Sequence, residues 1–338
     1  MSSILLRPID TRAPALFENL IPMLHDSMPA RHAPSHQARP AIALLLAAAA
    51  AAAAAVMMTT TTAQASPEAR EPTGESLIDS RSQEVLSPAD LLTLMRQSDF
   101  VLLGEVHDNP LHHQRRGALL AQLRAPAVVV AEHLPAPAQL QLRPELDLLS
   151  QLSGAGFEAR AWRWPLHEAL FEGLRASGMT LLGGNVASPL ARQVAREGRY
   201  ALPDFARAQM DATPLPATGR AALAADLVQG HCGQLSGPRL EGMIWAQGLR
   251  DASLWSTMQA AAKDGSKPVL LLAGNGHIRS DYGLAYWIQQ QAPKARVISV
   301  GFAEIGQPTA GLYTHVWRTP AATRDDPCAG FKLPPATP

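Results

Sequence analysis

A layered α/β fold with a mostly parallel sheet flanked by helices is the architecture this sequence predicts. Three observations carry it. Short apolar runs recur without alternation at Phe100–Leu103, Ala127–Ala131, Thr180–Leu182 and Pro268–Ala273, with Val297–Val300 as a fifth. Such runs suit strands buried on both faces. Each of the first four ends at a glycine or polar cluster, and helical stretches separate the runs, the pattern of βαβ units.

Residues 1–65 stand apart from that pattern. Ala41–Met58 is an uncharged, alanine-dominated run preceded by Arg31 and Arg39, and Ala63-Gln64-Ala65 supplies small residues for cleavage after Ala65. The arrangement is that of a secretory signal, with Met28 as the expected start and the residues upstream a gene-start artefact. A retained membrane anchor is the alternative reading. Periplasmic or secreted protein is therefore expected. Residues 66–87 are polar and read as a flexible tether.

A single domain is expected over 88–319. Pro88-Ala89-Asp90 opens a helix through Met95, and Asn109-Pro110 starts another that runs to Leu123. Leu166–Ser177 and the stretch from Ser188 to Gly198 supply two more. Residues 203–262 read as an insertion, loop-rich and partly helical to Arg239 and mostly helical from Leu240. A protein partner docking on this insertion is the weakest functional alternative. Residues 320–338 read as a flexible tail. Lys plus Arg and Asp plus Glu balance at 29 each, without a basic block, which argues against a nucleic-acid partner. The two cysteines, Cys232 and Cys328, fit no thiolate metal site but could form one bridge to the tail in an oxidising compartment.

The chemistry gathers after the apolar runs, where open α/β sheets place their ligands. Gly104-Glu105-Val106-His107 follows the first, Glu132-His133 the second, Gly184-Asn185 the third and Gly274-Asn275-Gly276-His277 the fourth. Glu105, His107, Glu132 and His277 are candidate ligands for zinc, manganese or iron, and histidine also ligates haem iron. A structural role for either Gly-x-x-His histidine, fixing its own loop, is the bland alternative. His112 and His113 fall in the first turn of a helix, where solvent exposure is expected. Trp162 and Trp164 offer a rigid aromatic surface for a flat ligand with His167 within reach, or ordinary packing.

Leu103–Pro110 with His113, then Glu132, Trp164-Pro165-Leu166-His167, Asn185, Arg192-Gln193-Val194, Ala246-Gln247, the Asp251–Met258 stretch and Ala273–His277 resemble the ChaN-type haem-binding proteins of the Tiki superfamily. The resemblance implies a haem-uptake protein of the cell envelope, working with haem-transport partners. It also implies a homodimer able to hold haems face to face. It places His107, His113, Trp164, His167 and His277 near the haem, with Arg192 or Arg279 on the propionates and Tyr282 or Tyr286 as rival oxygen donors. The wider superfamily also contains metal-dependent peptidases using paired Gly-x-x-His motifs. Hydrolysis through Glu105, His107, Glu132 and His277, with a divalent ion activating water, is the competing expectation. Two departures stand out. No cysteine follows the cleavage point to carry a lipid, and His167 occupies the tyrosine position of the family's Trp-Pro-x-Tyr pattern.

Overall fold

The structure, a computed structural model, describes residues 74–330 except 124 and 327. The signal segment, its cleavage point and most of the tail beyond 330 lie outside the described residues. Nine strands form one sheet: β1 (Ser76–Asp79), β2 (Val85–Leu86), β3 (Phe100–Leu103), β4 (Val128–Pro135), β5 (Gln139–Leu140), β6 (Thr180–Asn185), β7 (Val269–Leu272), β8 (Val297–Glu304) and β9 (His315–Thr319). Their order is β2-β1-β9-β8-β3-β7-β4-β6-β5. The six strands from β9 to β6 run parallel, and antiparallel β1, β2 and β5 close the edges.

The five apolar runs become β3, β4, β6, β7 and β8, and the central ones are apolar throughout because both faces are covered. Val101, Leu103, Leu270 and Leu272 pack beneath α1 (Pro88–Gln97), α2 (Pro110–Leu123), α3 (Leu148–Gly154) and α4 (Glu168–Ser177). Leu102, Val130, Val269 and Leu271 face the opposite layer. That layer contains α5 (Ser188–Glu197), α6 (Asp204–Ala212), α8 (Gly237–Lys263) and α9 (Leu284–Gln291). Neighbouring residues on a strand point to opposite faces, so one uninterrupted run feeds two cores. Helix starts follow local rules. The Ser87 hydroxyl accepts from the Asp90 amide at 3.2 Å and the Asp90 carboxylate accepts from the Ser87 amide at 2.9 Å. Asn109 Oδ1 accepts from the Leu111 amide at 3.0 Å at the start of α2.

The structure corrects three expectations. The tether over 66–87 contains β1 and β2, with Leu77 buried opposite Trp317. A four-residue strand that pairs with two-residue β2 and with β9, some 240 residues away, leaves little local signal. The insertion, expected to be only partly helical before Leu240, is mostly helical throughout: α6, α7 (Ala217–Gly230) and α8 fill it. Pro203 and Pro216 sit at N-caps and Pro238 in a first turn, where proline costs little, so its prolines begin helices instead of breaking them. Finally, the tail is held through residue 328. Cys328 is bridged to Cys232, the Ala322 amide donates to Glu304 at 3.0 Å, and Arg324 pairs with Glu304 and Asp108. Among the described residues no helix is long and apolar enough to cross a membrane.

Candidate functional site

Connections leaving β3 and β7 diverge: β3 leads through α2 to β4, while β7 leads through α9 back across β3 to β8. Adjacent strands with diverging connections open a crevice at their carboxyl ends. The two Gly-x-x-His segments are the loops that line it. The Asn275 amide donates to the Glu105 carbonyl at 2.9 Å, tying one loop to the other.

The buried Glu105 carboxylate is the hub of a first cluster. His107 Nδ1 lies 2.6 Å from its Oε1, and Arg116 from α2 is ion-paired with it, both side chains fully buried. His167 Nε2 stands 3.3 Å and His133 Nε2 3.6 Å from Oε1. His113 donates from Nε2 to the His107 carbonyl at 3.0 Å, while its Nδ1 accepts from Arg116 at 3.0 Å. Burial draws Arg116 down to about 9, still charged at neutral pH, and lowers His113 to about 4. The same loss of solvent pushes His133 and His167 far below the usual imidazole range, so both are neutral.

A second cluster forms across the sheet. His277 Nδ1 meets Asp251 Oδ1 at 2.5 Å and its Nε2 lies 3.4 Å from Glu132 Oε1. The Glu132 Oε2 atom accepts the Gly274 amide at 2.8 Å. Burial opposes charge on His277, but Glu132 and Asp251 outweigh it and hold the imidazole up at about 10. Burial also opposes ionisation of Glu132, and the His277 charge overcomes it and holds that carboxyl well below its usual value. His277 is thus an imidazolium between carboxylates.

The four expected ligands Glu105, His107, Glu132 and His277 therefore divide between two clusters. Strand alternation shapes the outcome: Glu132 and His133 are neighbours on β4, so Glu132 joins His277 on the α8 side while His133, outside the expected set, joins Glu105 on the α4 side. His112 and His113, expected at the surface, are fully buried. His112 is satisfied by the Val106 amide at 2.9 Å and Thr319 Oγ1 at 2.9 Å, so its ring serves the core as a bridge between backbone and strand.

A cleft of about 780 Å³ opens beside the first cluster, lined by His107, His133, Trp162, His167, Val186 and Arg250 among others. A second, of about 920 Å³, lies on the other side of His107 and takes in Arg279, Tyr282 and Arg324. His107 is 51% exposed, and a Cβ on Gly274 would stand 2.9 Å from its Nε2, so glycine leaves that nitrogen clear. His167 touches the first cleft but is only 1% exposed, with Nδ1 3.0 Å from the Trp162 carbonyl. Trp162 forms the aromatic wall, whereas Trp164 packs on the core, edge-on to Phe157. Arg192 is exposed and lines neither cleft, and Arg279 is engaged by Asp226 and Asp281. Tyr282 donates to Asp226 and Tyr286 to the Pro214 carbonyl. Sequence reasoning missed Arg116, Arg163 and Arg250, and gave no role to His133, whose signal was its place beside Glu132 at a strand end, or to Asp251, whose signal was the family-like stretch that it opens.

The chain matches the family described as haem-binding uptake, Tiki superfamily, ChaN, over residues 91–288. No curated protein matches it. Among solved structures it is similar to the one described as cofacial haem binding to ChaN of Campylobacter jejuni, at 17% identity and a TM-score of 0.59. That match covers 73% of this chain and 98% of the other, and at such identity it speaks for the fold. The type III effector HopBA1 (11% identity, 70% and 94% covered) and an erythromycin esterase in its open conformation (13%, 76% and 86%) follow at TM-scores of 0.36, too low to carry an argument. With more than half of its length matched, interleaved with the strand-end motifs that build both clusters, this chain belongs to the ChaN haem-binding uptake family of the Tiki superfamily.

Proposed function

We propose that this chain binds haem in the 780 Å³ cleft, with His107 Nε2 as the iron donor, and serves haem or iron uptake outside the cytoplasm. One observation carries the reading: His107 is half exposed at the cleft mouth while its Nδ1 is anchored to a buried carboxylate. A carboxylate on the far nitrogen fixes the ring and makes the near nitrogen a better donor, the usual arrangement around metal-bound imidazole. His167 has both nitrogens turned inward, and His277 is protonated, with no lone pair to offer.

The remaining residues fit the group. A cleft of this volume is within the range of small-molecule sites. Trp162, Val186 and Pro189 supply apolar surface, and Arg163 and Arg250 stand along it as cations for the two propionates. Haem would bring the iron and its redox chemistry, and the protein supplies the donor, the apolar wall and the counter-charges. Hydrolysis through Glu105, His107, Glu132 and His277 has less support, because Glu132 and His277, although they share the cleft with His107, are engaged with each other and His277 also with Asp251. Titration of haem into the purified chain should give a saturable Soret band. Replacing His107 with alanine should shift that band and weaken binding at least tenfold. An unchanged spectrum and affinity in His107→Ala would remove the assignment, and the absence of saturable binding by wild type would remove the function.

A further inference from the structure

Beneath the cleft, donor atoms of Glu105, His133 and His167 converge. One donor atom from each lies within 4.8 Å of the others, and all three residues are buried. His133 has no hydrogen-bond partner at either ring nitrogen although its side chain is wholly buried. Buried polar atoms are almost always paired, so an imidazole with two orphan nitrogens calls for an explanation. His167 has its tautomer set by its neighbour: Nδ1–H donates to the Trp162 carbonyl, which leaves the Nε2 lone pair aimed at the Glu105 carboxylate. A lone pair facing a carboxylate oxygen at 3.3 Å repels it unless a cation lies between them.

The separations have a geometric meaning. His167 Nε2 and His133 Nε2 stand 3.3 Å and 3.6 Å from the same oxygen, Glu105 Oε1. An ion with bonds of 2.0–2.1 Å in tetrahedral geometry has ligand-to-ligand edges of about 3.3–3.4 Å. Two neutral imidazoles and one carboxylate are the donors of first-row divalent ions, with positions left for water, and are a poor set for calcium or magnesium. Arg116 and His113 Nδ1 face Oε2, while Oε1, which also accepts from His107 Nδ1 at 2.6 Å, keeps a second lone pair on the side of His133 and His167. His133 and His167 line the 780 Å³ cleft, which supplies an entry path.

We infer that Glu105, His133 and His167 form a binding site for a zinc-class divalent transition ion at the floor of the cleft, a ligand set that shares only Glu105 with the expected set Glu105, His107, Glu132 and His277. The charge of Arg116 lowers the affinity, so the test uses added ion rather than the metal content of purified protein. It does not rest on the haem reading, since it uses haem-free protein and a different chromophore.

Cobalt(II) titrated into the haem-free full chain reports the site through its visible d–d bands, with stoichiometry from elemental analysis after gel filtration. One ion per chain with intense, four- or five-coordinate bands is expected. His133→Ala and His167→Ala should each weaken cobalt binding at least a hundredfold. His133→Phe guards against a simple folding defect, because that ring packs 4.3 Å from Trp162 and 5.4 Å from Phe171, and phenylalanine preserves the aromatic contacts without a donor. It should melt like wild type and lose the cobalt bands. The inference is overturned if wild type binds no stoichiometric ion, if His133→Phe keeps the bands, or if His277→Ala abolishes them instead. A Soret titration of the same preparations scores the haem reading independently.

Discussion

Helices α2 and α4 touch backbone to backbone, and a single methyl group tests how far the site depends on that contact. A Cβ built on Gly173 would stand 2.1 Å from the Gly117 carbonyl oxygen and 2.5 Å from the Gly117 Cα. Both obstacles are main chain, so no rotamer change relieves them, and the helices would have to part by about 1 Å to restore an ordinary contact. Alanine in a helix interior is favoured over glycine by about 1 kcal/mol, whereas overpacking of a rigid contact costs about 1–3 kcal/mol. Separation also loosens Leu120, Phe171 and Leu174, which places the cost at the upper end and leaves Gly173→Ala about 2 kcal/mol less stable. For a domain of this size the midpoint should fall by roughly 4–8 °C. The site should feel it as well, because α2 carries His113 and Arg116 while α4 starts just after His167, and the two histidine rings lie 3.9 Å apart. Thermal unfolding followed by circular dichroism at neutral pH decides the matter. A melting point equal to or above wild type would mean that propensity outweighs the contact, and the packing argument would fail.

Stability should peak near pH 6–7 and fall on both sides for different reasons. Burial lowers His112 to about 3 when folded, so between pH 6.5 and about 3 the unfolded chain binds the extra proton, and at pH 4.5 this removes up to about 2.7 kcal/mol. His277 acts oppositely. Against its burial, Glu132 and Asp251 raise it to about 10, so its contribution is complete below pH 6.5 and is lost as pH rises towards 10. Urea unfolding at pH 4.5, 6.5 and 8.5 checks both slopes, and a flat profile would refute them. The Cys232–Cys328 bridge spans 96 residues and anchors the chain that carries Arg324 past the second cleft. Reduction should speed tryptic cleavage after Arg324 several-fold, read by mass spectrometry, and an equal rate with and without reductant would show that the ion pairs to Glu304 and Asp108 hold it alone.

What the chain announces locally is the set of buried strands and the polar residues at their ends. The runs at Phe100–Leu103 and Val128–Ala131 are apolar because both faces are covered, and the Gly-x-x-His pairs stand where a parallel sheet leaves its loops. Composition even made the Cys232–Cys328 pairing available. Three matters required the tertiary structure. Strand order put β7 between β3 and β4, which brought the two Gly-x-x-His loops side by side, and crossover order leaves no mark on local sequence. Alternation along β4 sent Glu132 and His133 to opposite faces, so that Glu132 joined His277 and His133 joined Glu105. The third matter is the state of each histidine. His107, His113, His133, His167 and His277 carry the same side chain, yet one is half exposed, three are buried and neutral, and one is an imidazolium. Burial and the charges brought near by remote segments decide which form each takes, and both are properties of the packed molecule.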